Sequence, residues 1–246
     1  MILYFSATGN CKHVATTIAR ALDEKALSIL DAPKEFTLEK GERFGIVTPT
    51  YFWELPIPVR DYLSELELEL SGDNYTFLIA TFGTTPGCTG EEGRRLLAEK
   101  GVLLDAAFSI RMPDNWTVWF DLSNPEKVAS QNAAADVQIQ KVLNQIRTET
   151  LGNRMKRKAP YFVKTFTDSA FDSARQTKNL YVEESCIGCG LCEKICPVHA
   201  IELKENKPVW VKEQCALCFG CLHHCPKFAI QYGNGATKKH GQYTHP

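Results

Sequence analysis

Eight of the ten cysteines fall between Cys186 and Cys225, at a spacing that narrowly specifies a chemistry. Cys186, Cys189 and Cys192 stand at C-x2-C-x2-C spacing, followed after three residues by Cys196-Pro197. Cys215, Cys218, Cys221 and Cys225-Pro226 repeat the pattern. The copies are offset by 29 residues, and Ala200-Ile201 echoes in Ala229-Ile230. In a reducing compartment such thiols do not form structural disulfides, so the grouping points to metal. Three thiolates on one tight loop, with a fourth beside a proline thrown toward a different centre, suit iron–sulfur cubanes. The expected ligands are Cys186, Cys189, Cys192 and Cys225 for cluster one, and Cys215, Cys218, Cys221 and Cys196 for cluster two, giving two [4Fe-4S] clusters. A pair of zinc sites is the competing reading, although zinc usually takes two separated C-x2-C pairs. Gly188, Gly190 and Gly220 let backbone N–H groups approach sulfur, and His199, His223 and His224 are expected to be bystanders. The whole segment resembles the bacterial two-cluster ferredoxins, which carry single electrons.

At the other end, Ile2 to Phe5 runs into Ser6-Ala7-Thr8-Gly9-Asn10-Cys11-Lys12, after which an amphipathic helix begins. Two hydroxyls, a small Gly9 and the N–H groups of a helix N-terminus make a phosphate cradle. The loop is neither a Walker loop nor GxGxxG, and a polar turn with an N-cap is the plainer alternative. Its position after the first strand favours the cradle, because doubly wound sheets bind ligands at the carboxyl ends of their strands. Thr48-Pro49-Thr50-Tyr51-Phe52-Trp53 and Thr81-Phe82-Gly83-Thr84-Thr85-Pro86-Gly87 end two further strands and should line the same crevice.

This N-terminal segment resembles the flavodoxins, and the resemblance implies FMN. The expected contacts are Ser6, Thr8, Gly9, Asn10, Cys11 and Lys12 at the phosphate, with Pro49, Thr50, Tyr51, Phe52, Trp53, Thr81, Phe82, Gly83, Thr84 and Gly87 around the ring. Which of the three aromatics stacks on the flavin is left open, as is simple loop packing. Cys11 departs from the Thr or Ser usual there. It is read as a filler, with a thiol of lowered pKa at the helix N-terminus as the alternative. Arg111-Met112-Pro113-Asp114-Asn115-Trp116 is either a lid or a rigid turn.

The elements that must position these loops are legible as alternating apolar runs and helical stripes. Strands are expected at Ile2 to Phe5, Ala26 to Leu30, Phe44 to Thr48, Thr76 to Thr81 and Val102 to Ile110. Val14, Ile18, Ala19 and Leu22 mark a first helix, Val59, Leu63 and Leu66 a second, and Leu96 and Leu97 a third beginning near Thr89. A fourth should run from Pro125 to Ile146, with Asn124 as N-cap and Glu126 in its first turn. The expected fold is an α/β flavodoxin-like, doubly wound, five-stranded parallel sheet with a small C-terminal α+β two-cluster ferredoxin-like domain. Residues 1–150 would form the first domain and 151–180 a basic, partly helical linker using Phe162, Phe166 and Phe171 for packing. Residues 181–235 would form the second domain and 236–246 a flexible tail.

At 246 residues, 44% hydrophobic and 23% charged, the composition is that of a soluble globular chain. No apolar run approaches the roughly 18 residues of a membrane span, and Met1 to Phe5 lacks the basic start of a signal peptide. The chain therefore reads as cytoplasmic, with no membrane partner. A net charge of −1 argues against nucleic acid but hides an asymmetry. Residues 1–150 carry 14 Lys/Arg against 21 Asp/Glu, and residues 151–180 carry 7 against 2, with Arg154, Lys156, Arg157 and Lys158 in one cluster.

End to end, the chain resembles the EFR-type flavodoxin/ferredoxin fusion family, which implies electron transfer between cubanes and FMN. The leading expectation is an oxidoreductase taking electrons from a ferredoxin-like or other redox protein and passing them through FMN to an acceptor that the sequence does not identify, a small molecule being one option. A pure carrier or docking scaffold without its own substrate is the alternative. A homodimer is expected only if the cofactors lie far apart within one chain.

Overall fold

The protein is described by a computed structural model covering residues 1–156 and 158–246, with the backbone alone at 163–166. Arg157 and the side chain of Phe166 therefore lie outside the described residues. The main sheet is built from β1 (Ile2–Tyr4), β2 (Ala26–Ser28), β4 (Arg43–Pro49), β6 (Tyr75–Phe82), β7 (Ala106–Arg111) and β8 (Gly152–Asn153). Its order is β2-β1-β4-β6-β7-β8, all parallel. The sixth strand, of two residues, extends the expected five. Gly152-Asn153 reads locally as a turn, and only pairing with Ala106 and Ala107 makes it a strand. The expected strand at 102–110 begins late, because the Asp105 carboxylate turns back to accept Thr76 N–H at 2.8 Å. A separate parallel pair, β3 (Glu35–Leu38) with β5 (Glu67–Leu70), lies outside the sequence reading.

Helices cover both faces of the sheet. On one, α1 (Asn10–Leu22) and α4 (Pro125–Arg147) bury Val14, Ile18, Ile139 and Leu143 against Ile2, Val47, Phe77 and Ile110. On the other, α2 (Ile57–Glu65) and α3 (Thr89–Glu99) bring Val59, Leu63 and Leu97 against Leu3, Phe44, Ile46 and Leu78. Asn124 caps α4 as expected, its side-chain oxygen accepting Lys127 N–H at 3.0 Å. The main-sheet order reverses at β1, which leaves a crevice at its carboxyl end.

Beyond the sheet, α5 (Lys164–Ala174) inserts Phe171, 2% exposed, into the core. Two antiparallel pairs follow, β9 (Leu180–Val182) with β12 (Ile230–Tyr232), and β10 (Ile201–Lys204) with β11 (Lys207–Trp210). Between them α6 (Leu191–Lys194) and α7 (Gly220–His223) occupy equivalent places in the repeat. The apolar core runs without a break from Leu3 and Phe44 through Phe171 into Leu217, Phe219 and Tyr232. Among the described residues no helix is long and apolar enough to cross a membrane.

Residues 236–246 are not free, contrary to expectation. Ala236–His240 form α8, and the chain beyond lies in the seam between the two parts. Gln242 Nε2 donates to the Leu222 and Cys225 carbonyls, and His245 N–H to the Thr8 carbonyl at 2.7 Å. Local sequence signals flexibility there because the partners are all distant in the chain.

Candidate cofactor site

A cavity of about 510 Å³ opens at the carboxyl ends of β1, β4, β6 and β7, within the range of small-molecule and cofactor sites. Of the expected FMN contacts, Ser6, Thr8, Asn10, Cys11, Pro49, Thr50, Tyr51, Phe52, Trp53, Thr81, Phe82, Gly83 and Thr84 line it together. Gly9, Lys12 and Gly87 do not form its wall. Lys12 is exposed. A Cβ on Gly9 would meet His245 Cβ at 2.8 Å, and one on Gly87 would meet the Trp53 carbonyl at 2.0 Å.

The phosphate loop keeps its donors available. Gly9, the N-cap of α1, sits at φ 98° and receives no side-chain cap, so the first-turn N–H groups remain for a ligand. Ser6 Oγ accepts Gly9 N–H at 3.2 Å, and Thr8 Oγ1 accepts Asn115 Nδ2–H at 2.9 Å, which leaves each hydroxyl proton to donate. Asn10 is committed instead to structure, donating to the Pro113 carbonyl and accepting from the Tyr243 hydroxyl. Cys11 is buried beside Thr81 Oγ1 at 3.1 Å, and burial pushes its thiol up to about 12. Desolvation thus overrides the helix terminus, and the reactive-thiolate alternative gives way to a neutral filler.

The aromatic loop after β4 is strained in place. Phe52 and Trp53 have φ of 47° and 69°, unusual for bulky residues, inside a two-residue turn closed by Tyr51 and Glu54. Cys88 N–H holds the Trp53 carbonyl at 2.8 Å, and the buried Glu54 carboxylate meets Arg60 and Thr167 Oγ1. Phe52 stacks on Phe171 at 5.4 Å and meets Trp116 edge-on. Tyr51 packs into the core against Phe5, while Trp53 stands at the rim, 43% exposed.

The segment after β7 completes the wall with Asp114, Asn115, Trp116 and Trp119. Its structure is a rigid turn, with Asp114 Oδ1 accepting Trp116 N–H at 3.1 Å and Arg111 Nε donating to the Gly83 carbonyl. Trp116 Nε1 is buried without a partner among the described residues, so an acceptor on a bound ring system would complete it. Burial raises the Asp114 pKa against the opposing pull of Trp116 N–H and Arg111. The folded chain therefore holds this proton more tightly than the unfolded one, and stability is lost as pH rises through the folded pKa. Asp114→Asn in the FMN-free protein should melt higher than the parent at neutral pH, with the difference shrinking in acid. Thermal melts across pH 4 to 8 check this, and an unchanged difference would contradict a proton held there.

Two smaller cavities gather the cysteines four and four. One is lined by Cys186, Cys189, Cys192 and Cys225, the other by Cys196, Cys215, Cys218 and Cys221. Ala200 and Ala229 N–H groups donate to Cys196 and Cys225 Sγ at 3.2 and 3.3 Å, and Leu217 N–H to Cys215 Sγ at 3.3 Å. Such bonds stabilise the charge of a thiolate-held cluster. Cys218 and Cys221 are half-buried, and desolvation raises both thiols. Cys189 is exposed.

Residues 1–101 match the family model of the flavodoxin domain, and residues 180–202 that of the 4Fe-4S binding domain. The chain joins a flavodoxin domain to a 4Fe-4S domain. It is thereby a flavin and iron–sulfur electron-transfer protein, in which the flavodoxin domain implies FMN and the 4Fe-4S domain a cubane. A flavodoxin from the domain Archaea aligns at 13% identity and a TM-score of 0.36, over 58% of this chain and 96% of that one. A rubredoxin oxygen:oxidoreductase from the anaerobe Desulfovibrio gigas aligns at 11% identity and a TM-score of 0.34, over 60% of this chain and 36% of that one. No curated protein matches the chain.

The cysteine-rich part of the chain meets the flavodoxin domain at this cavity, because Leu217, Cys218 and Phe219 complete its wall. His224 Nε2 donates to the Ala7 carbonyl of the phosphate loop at 2.9 Å, and His223 Nε2 to the Asn115 carbonyl at 2.9 Å. His223 Nδ1 accepts Tyr243 N–H, which fixes its tautomer, and burial pushes its pKa down to about 4. His223 and His224 are therefore ties between the domains and line neither cysteine cavity. Sequence reading missed this role, and it missed Phe219 and Leu217 as cavity residues.

Proposed function

We propose that the protein is an oxidoreductase. A ferredoxin-like donor delivers single electrons to cluster one, cluster two relays them, and an acceptor collects them from FMN in the interdomain cavity. The observation that carries this reading is the shared wall: Cys218, assigned to cluster two, also lines the cavity that holds the phosphate loop and the aromatic turn. Two cavities with four cysteines each support a count of two clusters. Cluster one faces outward, with Cys189 exposed and Ile187 59% exposed, as a site for a protein partner would. One chain supplies every wall, so the reading needs no second copy.

When bound, FMN supplies conversion between one-electron and two-electron chemistry. Ser6, Thr8 and the first turn of α1 would hold its phosphate, Trp116 Nε1 would offer it a hydrogen bond, and the buried Asp114 carboxyl would lie in the same wall. The exposed Trp53 and Trp119, at 43% and 73%, form a rim suited to a small planar acceptor. That depth of aromatic wall favours an enzyme over a pure carrier, which needs only an accessible flavin edge.

Iron, acid-labile sulfide and FMN on anaerobically purified protein test the inventory, with about eight iron and one FMN per chain expected. Eight iron without flavin would leave a ferredoxin-like carrier. Stopped-flow mixing with a reduced ferredoxin tests the route, and undiminished flavin reduction in cluster-free protein would overturn it.

A further inference from the structure

The 29-residue repeat in the 4Fe-4S domain extends to the backbone. His199 and Phe228 both sit at φ 48°, and the N–H groups of Ala200 and Ala229 donate to equivalent sulfurs. At two positions the backbone obeys the repeat while the residue type breaks it. Gly188 (φ 66°) and Gly190 (φ 75°) of the first motif correspond to Leu217 (φ 53°) and Phe219 (φ 54°) of the second. Glycine adopts this left-handed conformation freely, whereas a bulky L residue is strained there. The first motif forms its cysteine cavity with glycine at both places, so cluster binding does not demand the bulk.

Both strained side chains stand between two cavities, lining that of Cys196, Cys215, Cys218 and Cys221 as well as the flavin cavity. Leu217 and Phe219 line it on either side of Cys218. Phe219 is 4% exposed, and its ring lies face to face with Trp116, 4.8 Å between centroids and 4° between planes. Tyr232 backs the stack at 5.3 Å from Phe219, and Phe52 meets Trp116 at 5.4 Å. Backbone strain kept at a cavity wall, where the equivalent loop avoids it, marks a functional position.

We propose that Phe219 is a positioning residue: its stack with Trp116 seats the flavin beside Cys218 and keeps water from the gap between cluster two and FMN. The inference rests on the flavin reading above and adds a division of labour. The glycine-bearing motif binds an outward cluster, while the Leu217/Phe219 motif is specialised to exchange electrons with the flavin.

The test compares Phe219→Gly, which restores the repeat's own residue, with Phe219→Leu, which keeps apolar bulk, and Phe219→Tyr, which keeps the aromatic face. FMN dissociation constants, iron per chain and the rate of flavin reduction after rapid cluster reduction are measured on the full-length protein. The Gly and Leu variants should bind FMN about tenfold more weakly, equivalent to about 1.4 kcal/mol, and reduce it about tenfold more slowly, with parental iron content. Phe219→Tyr should restore both values. Affinity and rate within about twofold of the parent in the Leu variant would overturn the inference, as would loss of iron, which would assign Phe219 to the cluster alone. A parent chain that binds no FMN overturns the flavin site itself, a distinct failure read before any variant is made.

Discussion

Cys218→Ala should halve the iron content, from about eight to about four per chain, while FMN remains bound. Flavin reduction by a reduced ferredoxin should fall at the same time by about a hundredfold or more, a barrier increase of about 2.7 kcal/mol. The reason is positional. Cys218 lines both the four-cysteine cavity proposed for cluster two and the cavity proposed for the flavin, so on that reading the cluster it holds is the one against the flavin. Cys189→Ala removes the other, exposed cluster and should block the protein donor while leaving cluster two spectroscopically intact. Iron analysis, electron paramagnetic resonance of the reduced protein and stopped-flow absorbance read these outcomes. Flavin reduction at the parental rate in Cys218→Ala would remove cluster two from the route.

Gly87→Ala should destabilise the protein by about 3 kcal/mol and abolish FMN binding in the same step. Gly87 has φ 55°, which costs an alanine about 1–2 kcal/mol. A Cβ there would also lie 2.0 Å from the Trp53 carbonyl oxygen and 2.3 Å from Trp53 Cβ. Relief requires moving backbone, an overpacking cost of about 1–3 kcal/mol. The backbone in the way belongs to the strained Phe52-Trp53 turn of the flavin wall, so the displacement reaches the site directly. Urea unfolding should show a lower midpoint at unchanged slope. Gly101→Ala is the control, since Gly101 has φ 75° but open space around its Cβ, and should cost only the conformational term of about 1–2 kcal/mol. Equal losses at the two positions would exclude the clash as the cause.

Sequence alone determined the elements whose signal is local. Continuous apolar runs placed the five main strands, the central ones buried on both faces, and period-3.6 stripes placed three of the helices, because a helix buried on one face must repeat its apolar residues at its own spacing. Asn124 and Pro125 announced the start of α4, since capping is satisfied within one turn. The cysteine spacing announced the two four-thiol cavities, because each loop must present three sulfurs to one centre. Thirteen of the sixteen expected FMN contacts line one cavity, since strand ends of a doubly wound sheet converge at its switch point.

Only the tertiary structure decided what depends on partners distant in the chain. Gly152-Asn153 is a strand because Ala106 and Ala107 offer it an edge. The Cys11 pKa is raised, not lowered, because the fold desolvates the thiol more strongly than the helix terminus favours its charge. The segment after α8 is ordered because its hydrogen-bond partners, Thr8, Asn10, His223 and Cys225, come from both domains. The docking of the 4Fe-4S domain onto the flavodoxin domain was likewise invisible locally, although the break in the repeat at Leu217 and Phe219 recorded it. A strained aromatic where the first copy holds glycine is explained only by the Trp116 ring 4.8 Å away, which the fold, and not the neighbouring sequence, puts there.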